Sequence, residues 1–130
     1  MSGETPFLTE LQLAVVRVLW EQGQATVSDI TEALRSSRGL APTTVATVLS
    51  RLEKRGIVGH RTVARQFVYS ARVSEPDATR SMVAELTDRL FDGDVGALVS
   101  HLISAKEFSR ADLTRMKRII AQHEDRKEAK

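Results

Sequence analysis

The sequence predicts a mainly α-helical chain with one small β-hairpin, organised as two lobes. Apolar residues recur at helical spacing over most of the chain, whereas residues 57–71 change to strand-like alternation. After Val73 the strand pattern disappears and only helical patterns remain. In a chain of 130 residues each lobe is close to the lower size limit of a stable domain. We therefore expect two small domains, residues 1–73 and 74–130.

Two capped helices open the first domain. Thr9 and Gln12 have the spacing of a capping box, and the apolar residues from Leu13 to Trp20 follow at helical spacing. Thr26 is a suitable N-cap for a second, short helix. The buried side of that helix is predicted to carry Ile30, Ala33 and Leu34.

A third helix is predicted after a polar connector over residues 35–41. Pro42 suits its first position, where a missing N–H costs nothing, and Gly56 ends it. One face forms an apolar stripe of Val45, Val48, Leu49 and Leu52. The opposite face carries Thr43, Thr44, Thr47, Ser50, Arg51 and Lys54. Because threonine is a mediocre helix former, three threonines on one exposed face indicate a role other than helix stability.

Residues 57–71 predict a two-stranded hairpin. Phe67, Tyr69 and Ala71 alternate with other residues, and the tip falls between Thr62 and Arg65. The tip lacks the Asn-Gly or Asp-Gly pair that is typical of a tight hairpin turn. The order helix, helix, turn, helix, hairpin is that of a winged helix-turn-helix.

The basic residues are concentrated in the same segment. Residues 1–34 carry one base and five acids, whereas residues 35–72 carry eight bases against the single acid Glu53. Residues 73–130 are close to neutral, with ten bases and eleven acids. A basic block within a folded segment is typical of a surface that binds phosphates, although a merely solvated basic face is the alternative.

The third helix and the hairpin together predict a site for double-stranded DNA. Thr44, Thr47 and Arg51 share one helix face, so we expect them to contact bases in the major groove, with Arg51 bonding guanine. Backbone phosphates are assigned to Thr43, Lys54, Arg61 and Arg65. The alternative for Arg51 is a salt bridge on the helix surface near Glu53.

The second lobe predicts three helices that display rows of aliphatic residues. Three short helices bury little surface alone, so we expect this lobe to form a homodimer. The residues assigned to dimerisation are Met82, Leu86, Leu90, Leu98, Leu102, Leu113, Met116 and Ile120. The alternative is that these helices pack on their own first lobe.

Several classes of function are disfavoured by composition. The chain has no cysteine, and its three histidines lack neighbours at metal-ligand spacing, so we expect no metal site and no cofactor. No phosphate loop, nucleophile elbow or carboxylate pair indicates catalysis, and an enzyme is not expected. The first residues do not resemble a signal peptide and no apolar run suits a membrane span, which predicts a cytoplasmic protein without membrane insertion.

Two other functions fit parts of the pattern. A winged-helix module could bind an acidic protein through the same basic face. A metal-responsive regulator could use histidine and carboxylate ligands. Tight capture of one protein with weak binding to every DNA would favour the first, and DNA binding that requires metal would favour the second.

The sequence also resembles a known family. Six segments of the first lobe are similar to the penicillinase repressor (BlaI/MecI) family: Leu8-Thr9, Leu19-Trp20, Thr26 to Ile30, Thr43 to Leu52, Lys54 to Gly56 and Phe67 to Tyr69. In the second lobe, Phe91 to Asp94 and the Leu98-Val99 helix are similar to it as well. The resemblance covers nearly the whole chain. It implies a homodimeric transcriptional repressor on a pseudo-palindromic operator, which regulates its own gene and genes of β-lactam resistance.

Three departures from the family pattern bear on function. Ala64 stands where the family often has glycine at the hairpin tip. Some members are inactivated by an upstream sensor protease that cleaves an Asn-Phe bond, but here the matching pair is His101-Leu102, which counts against that partner. The copper-responsive branch carries cysteines at its C-terminus, and this chain has none.

Overall fold

The computed structural model describes residues 7–105 and 108–128, which form a mainly helical protein with one three-stranded antiparallel sheet. The predicted fold class is thereby confirmed. In chain order the elements are α1 (Glu10–Gln22), β1 (Ala25–Thr26), α2 (Val27–Ala33), α3 (Arg35–Arg38), α4 (Pro42–Lys54), β2 (Val58–Val63), β3 (Gln66–Ala71), α5 (Glu75–Phe91), α6 (Val95–Ala105) and α7 (Arg110–Glu128).

The chain divides into two compact units between Leu86 and Thr87, a point inside α5. The sequence places the domain boundary thirteen residues earlier, after residue 73, and that division stays a prediction. Within the first unit, α5 begins against the core, where Ala78 is buried and Met82 is partly buried. The Trp20 Nε1 donates to the Val73 carbonyl at 2.9 Å, and this bond attaches the segment between β3 and α5 to α1.

Capping boxes fix the starts of α1 and α2, as the sequence predicts for α1. The Thr9 hydroxyl accepts from the Gln12 N–H at 3.2 Å, and the Gln12 side chain accepts from the Thr9 N–H at 3.0 Å. Thr26 and Asp29 make the same reciprocal pair at 3.1 and 3.0 Å. These bonds satisfy N–H groups that have no partner inside the helix.

Removing the α2 cap tests how much this short helix depends on it. Thr26→Ala is expected to lower the free energy of unfolding by about 1 kcal/mol, because the Asp29 N–H loses its acceptor. Thr26→Ser keeps the hydroxyl and serves as the control. Urea denaturation of both variants measures the difference, and equal losses would show that the hydroxyl does not carry the effect.

The core of the first unit lies between α1, α2, α4 and the sheet. The four stripe residues of α4 are all buried, as predicted. Ala33 is exposed, and the prediction for it is wrong. Leu34 follows Ile30 by four residues, so it lies over the same face and occupies the buried position instead. The core residues are Leu8, Val15, Val16, Val18, Leu19, Ala25, Ile30, Leu34, Val45, Val48, Leu49, Leu52, Ile57, Val58 and Tyr69.

The connector between the second and third predicted helices is itself partly helical. Arg35–Arg38 form the one-turn helix α3, which ends at Gly39 with φ 54°. The Gly39 N–H donates to the Arg35 carbonyl at 3.1 Å and so caps the C-terminus of this turn. The polar residues of the connector carry no apolar pattern that would predict the helix. The predicted third helix is therefore α4.

The sheet has three strands in the order β1-β3-β2, one more than predicted. The hairpin pairs β2 with β3 from Val58↔Ala71 to Val63↔Gln66, and we refer to residues 58–71 as the wing. The additional strand β1 has two residues, paired as Ala25↔Tyr69 and Thr26↔Val68. It attaches the inner half of the wing to the segment between α1 and α2.

The second unit buries little of its own apolar surface. In residues 87–105 and 108–127 only Thr87 is buried, although α6 and α7 are well capped. Asp94 accepts from the Ala97 N–H, and Ser109 and Asp112 form the predicted reciprocal cap. The exposed large apolar residues of this unit are Leu90, Val95, Val99, Leu102, Ile103, Leu113, Ile119 and Ile120.

Candidate nucleic-acid interface

Helix α4 presents a continuous polar face to solvent. Its apolar stripe packs into the core, so the opposite face is fixed by helical periodicity. All six residues predicted for that face are exposed: Thr43, Thr44, Thr47, Ser50, Arg51 and Lys54. Short side chains at its N-terminal end permit close approach of another surface, and the long bases follow at its C-terminal end.

Thr47 differs from the other threonines because its hydroxyl is already used within the helix. The Thr47 Oγ1 donates to the Thr43 carbonyl at 3.0 Å. The hydroxyl hydrogen is therefore directed at the backbone. What Thr47 offers outward is its methyl group and an oxygen that can accept.

Three of the eight bases in residues 35–72 are held by the scaffold of the first unit. Arg35 pairs with Glu32 at 2.7 Å, and Arg38 pairs with Glu10 at 3.3 Å. Arg55 donates to the Gln12 side chain at 2.9 Å and to the Phe7 carbonyl at 2.7 Å. The charge count of the segment thus overstates what is available to a ligand.

The remaining five bases have no carboxylate partner within residues 7–105 and 108–128: Arg51, Lys54, Arg61, Arg65 and Arg72. They belong to α4, to the wing and to the residue after it. Arg61 donates to the neutral side chain of Gln24 at 2.8 Å. The surface salt bridge considered for Arg51 is not formed, since residues two apart on a helix do not face each other, and Glu53 is bonded to His60.

The wing tip is a two-residue turn with strained backbone. Ala64 and Arg65 connect the paired residues Val63 and Gln66 with φ values of 50° and 69°. Non-glycine residues rarely adopt this region, and each costs of the order of 1 kcal/mol. Arg65 thus occupies a position that favours glycine, while its side chain is exposed and has no carboxylate partner among the described residues.

A cluster that the sequence did not reveal joins α4 to the wing. The His60 Nδ1 lies 2.8 Å from Glu53 Oε1 and 2.9 Å from Oε2. The imidazole stacks on Phe67 with 4.0 Å between ring centroids. Burial raises the pKa of the Tyr69 hydroxyl, and the nearby Glu53 carboxylate raises it further. Glu53 lies in the last turn of a helix and His60 lies in the strand that follows, so no single periodicity relates the two residues and only the fold brings them together.

A cleft of about 520 Å³ opens between α2, the start of α4 and the wing tip. Its walls include Ser28, Pro42, Arg65 and the half-exposed ring of Phe67. Sequence reasoning missed Ser28 and Phe67, because neither lies on the α4 face or among the bases. An exposed aromatic ring on a strand was the available signal.

No three histidine, aspartate or glutamate side chains come together as metal ligands within residues 7–105 and 108–128. Over the same ranges, no helix combines the length and apolar character needed to cross a bilayer.

Comparison with known proteins decides the family. The model of the family described as "Penicillinase repressor" matches residues 8–122, which is most of the chain. The chain belongs to the penicillinase repressor family. The resemblance seen in the sequence is thereby confirmed.

This penicillinase repressor family member is similar to characterised relatives over nearly its whole length. It is 24% identical over 122 residues to the penicillinase repressor of Bacillus licheniformis, covering 94% of this chain and 95% of that one. It is 21% identical over 120 residues to the methicillin resistance regulatory protein MecI of Mammaliicoccus sciuri, covering 92% and 98%. The family consists of DNA-binding transcriptional repressors, which confirms the expectation that the protein is not an enzyme.

A solved structure agrees with the fold of the first unit. The solution structure of the DNA-binding domain of the repressor BlaI matches with a TM-score of 0.51 and 28% identity, over 57% of this chain and 92% of that one. The winged helix of this penicillinase repressor family member is thereby confirmed.

The residues assigned to dimerisation occupy different environments. Leu86, Leu90, Leu102, Leu113 and Ile120 are exposed, and Leu98 and Met116 are partly exposed. Met82 is partly buried against the core of the first unit, so part of its surface is already used there.

Proposed function

We propose that the protein is a homodimeric transcriptional repressor that acts in the cytoplasm on a pseudo-palindromic operator. Helix α4 enters the major groove, and the wing grips the adjacent backbone. The observation that carries this proposal is the distribution of bases. Of the eight bases in residues 35–72, Arg35, Arg38 and Arg55 bond to groups of the first unit, whereas the five on α4, on the wing and just after it form no ion pair in the part of the chain that the structure describes.

The proposed contacts divide into two groups. Thr44, Thr47 and Arg51 read bases, with Arg51 as a bidentate donor to guanine and the Thr47 methyl directed at a thymine methyl. Thr43, Lys54, Arg61 and Arg65 bind phosphates. Ser28 and Phe67 lie in the cleft beside Arg65 and are available to the same strand.

The proposed dimer forms through the helices of the second lobe, residues 74–130. A single copy of the second unit leaves eight large apolar side chains exposed, and a matching copy would cover them. Two α4 helices would then address the two halves of one operator. The similarity to a penicillinase repressor and to a methicillin resistance regulatory protein supports genes of β-lactam resistance as targets. The protein's own gene is proposed as a second target.

Arg65 provides a test in which stability and DNA binding move in opposite directions. Arg65→Gly is expected to raise the free energy of unfolding by about 1 kcal/mol, because glycine relieves the strain at φ 69°. It should weaken binding to operator and random DNA alike and lower the slope of log K against log salt by about 1, because one phosphate contact is lost.

Ala64→Gly is the matched control, since it relieves the neighbouring strain and removes no charge. Its stability should rise similarly while its DNA affinity and salt slope stay unchanged. Anisotropy titrations at several salt concentrations measure the DNA affinity and the salt slope of both variants. An unchanged slope for Arg65→Gly would contradict the phosphate contact. Weak, sequence-independent binding by the wild-type protein, with tight capture of one protein, would favour the protein-binding alternative.

A further inference from the structure

We propose that Glu53 and His60 are a positioning pair that sets the angle between α4 and the wing, so that base and phosphate contacts reach one operator together. This inference rests on the proposed function. A carboxylate can only accept hydrogen bonds, so His60 must donate from Nδ1, which lies 2.8 and 2.9 Å from the two Glu53 oxygens.

The pair stands between the two groups of proposed contacts. Glu53 lies in the last turn of α4, two residues after Arg51, and His60 lies in β2 immediately before Arg61. Only residues 55–57 connect α4 to β2. Among the described residues, this is the only hydrogen bond between α4 and the wing.

Apart from the bond between Arg61 and Gln24, the rest of the wing is anchored at its inner end. Val58 and Tyr69 are buried in the core, and Tyr69 pairs with Ala25 of β1. From Arg61 to Phe67 every residue is exposed. Because the exposed outer wing lies outside the core, its angle relative to α4 depends on its few polar contacts. Arg61 bonds to Gln24, and His60 makes the bond that reaches α4 itself, to Glu53.

The surroundings of the pair shield it in part from solvent. The side chains of His60 and Glu53 are 27% and 33% exposed, so solvent screens them only in part. The imidazole plane is fixed by Phe67, which lies nearly parallel at 21°, and by the tilted ring of Tyr69 at 5.4 Å.

The negative charge of Glu53 is unfavourable at a DNA-binding surface, so its presence there indicates another role. It is the only acid in residues 35–72, and a carboxylate beside a phosphate-binding surface repels DNA. If Glu53 were only a solvated charge, removing it would raise affinity for every DNA equally. If it positions the wing, removing its acceptor lowers the preference for the operator over random DNA.

Two substitutions of Glu53 separate these accounts, because they delete the same charge and differ in the acceptor. Glu53→Gln keeps an oxygen that can accept from His60, whereas Glu53→Ala does not. In the full-length protein we expect Glu53→Ala to lower the ratio of operator to random-DNA affinity about tenfold, the scale of one lost charge-assisted hydrogen bond. Glu53→Gln should keep most of that ratio.

His60→Ala removes the other partner of the same hydrogen bond, the one on the wing. The proposal therefore stays testable even if one of the variants fails to fold. It should lower the ratio as Glu53→Ala does, and the double variant should lose no more than either single one. Equal, undiminished ratios in Glu53→Ala and Glu53→Gln would overturn the positioning role while leaving the proposed function standing. A wild-type protein without operator preference would overturn both.

Discussion

Replacing Leu102 by aspartate is expected to convert the protein from a dimer to a monomer and to weaken operator binding about 100-fold or more. Leu102 lies on α6 and is 45% exposed in a single copy, among the other exposed apolar residues of its unit. A charge there would be buried without a partner in the proposed interface, at a cost of several kcal/mol. Because each chain then meets one half-site independently, the gain from joining two half-sites is lost.

Ser100→Asp is the matched control for this substitution. It places the same charge on the same helix, about 200° around the axis from Leu102. Sedimentation at micromolar concentration should give the mass of two chains for the wild type and for Ser100→Asp, and of one chain for Leu102→Asp. A wild-type monomer, or a Leu102→Asp dimer, would contradict the proposed interface.

Arg51→Ala is expected to cost about 1–3 kcal/mol of operator binding and to relax base preference at one position in each half-site. The guanidinium is exposed on the α4 face and forms no hydrogen bond or ion pair within the described residues, so it is free to bond a base. Removing its charge should also weaken random-DNA binding, but by less.

Arg51→Lys separates charge from readout at the same position. Lysine keeps the positive charge and lacks the planar fork that bonds guanine bidentately. We expect Arg51→Lys to keep random-DNA affinity and to lose preference at the same base as Arg51→Ala. Binding titrations on a panel of operator variants measure this preference. Equal losses on operator and random DNA for Arg51→Ala would show that Arg51 contacts only the backbone.

The elements predicted well from the sequence are those specified by local signals. Thr9 with Gln12 and Ser109 with Asp112 fix helix starts through bonds that span three residues. The stripe of α4 is equally local, since its period alone determines which face is buried. The strand β1 has only two residues and is defined by its pairing with β3, more than forty residues away. No local sequence pattern predicts such a strand.

The sequence predicts which segment carries the site, but not which basic side chains of that segment are free to bind DNA. Charge counting located the basic block, yet it could not show that Arg38 is paired with Glu10 or that Arg55 is tied to Gln12 and Phe7. These partners lie 28 to 48 residues away along the chain. The contact between Glu53 and His60 likewise depends on the angle at which the wing leaves α4.

Footprinting on the DNA upstream of the protein's own gene, at several salt concentrations, tests the central claim most directly. The account predicts two protected half-sites related by a dyad, with centres about 10 base pairs or a multiple of that apart. Protection should persist at salt concentrations that abolish binding to random DNA. Protection that never exceeds that of random DNA at any salt concentration would contradict a repressor that reads an operator through α4.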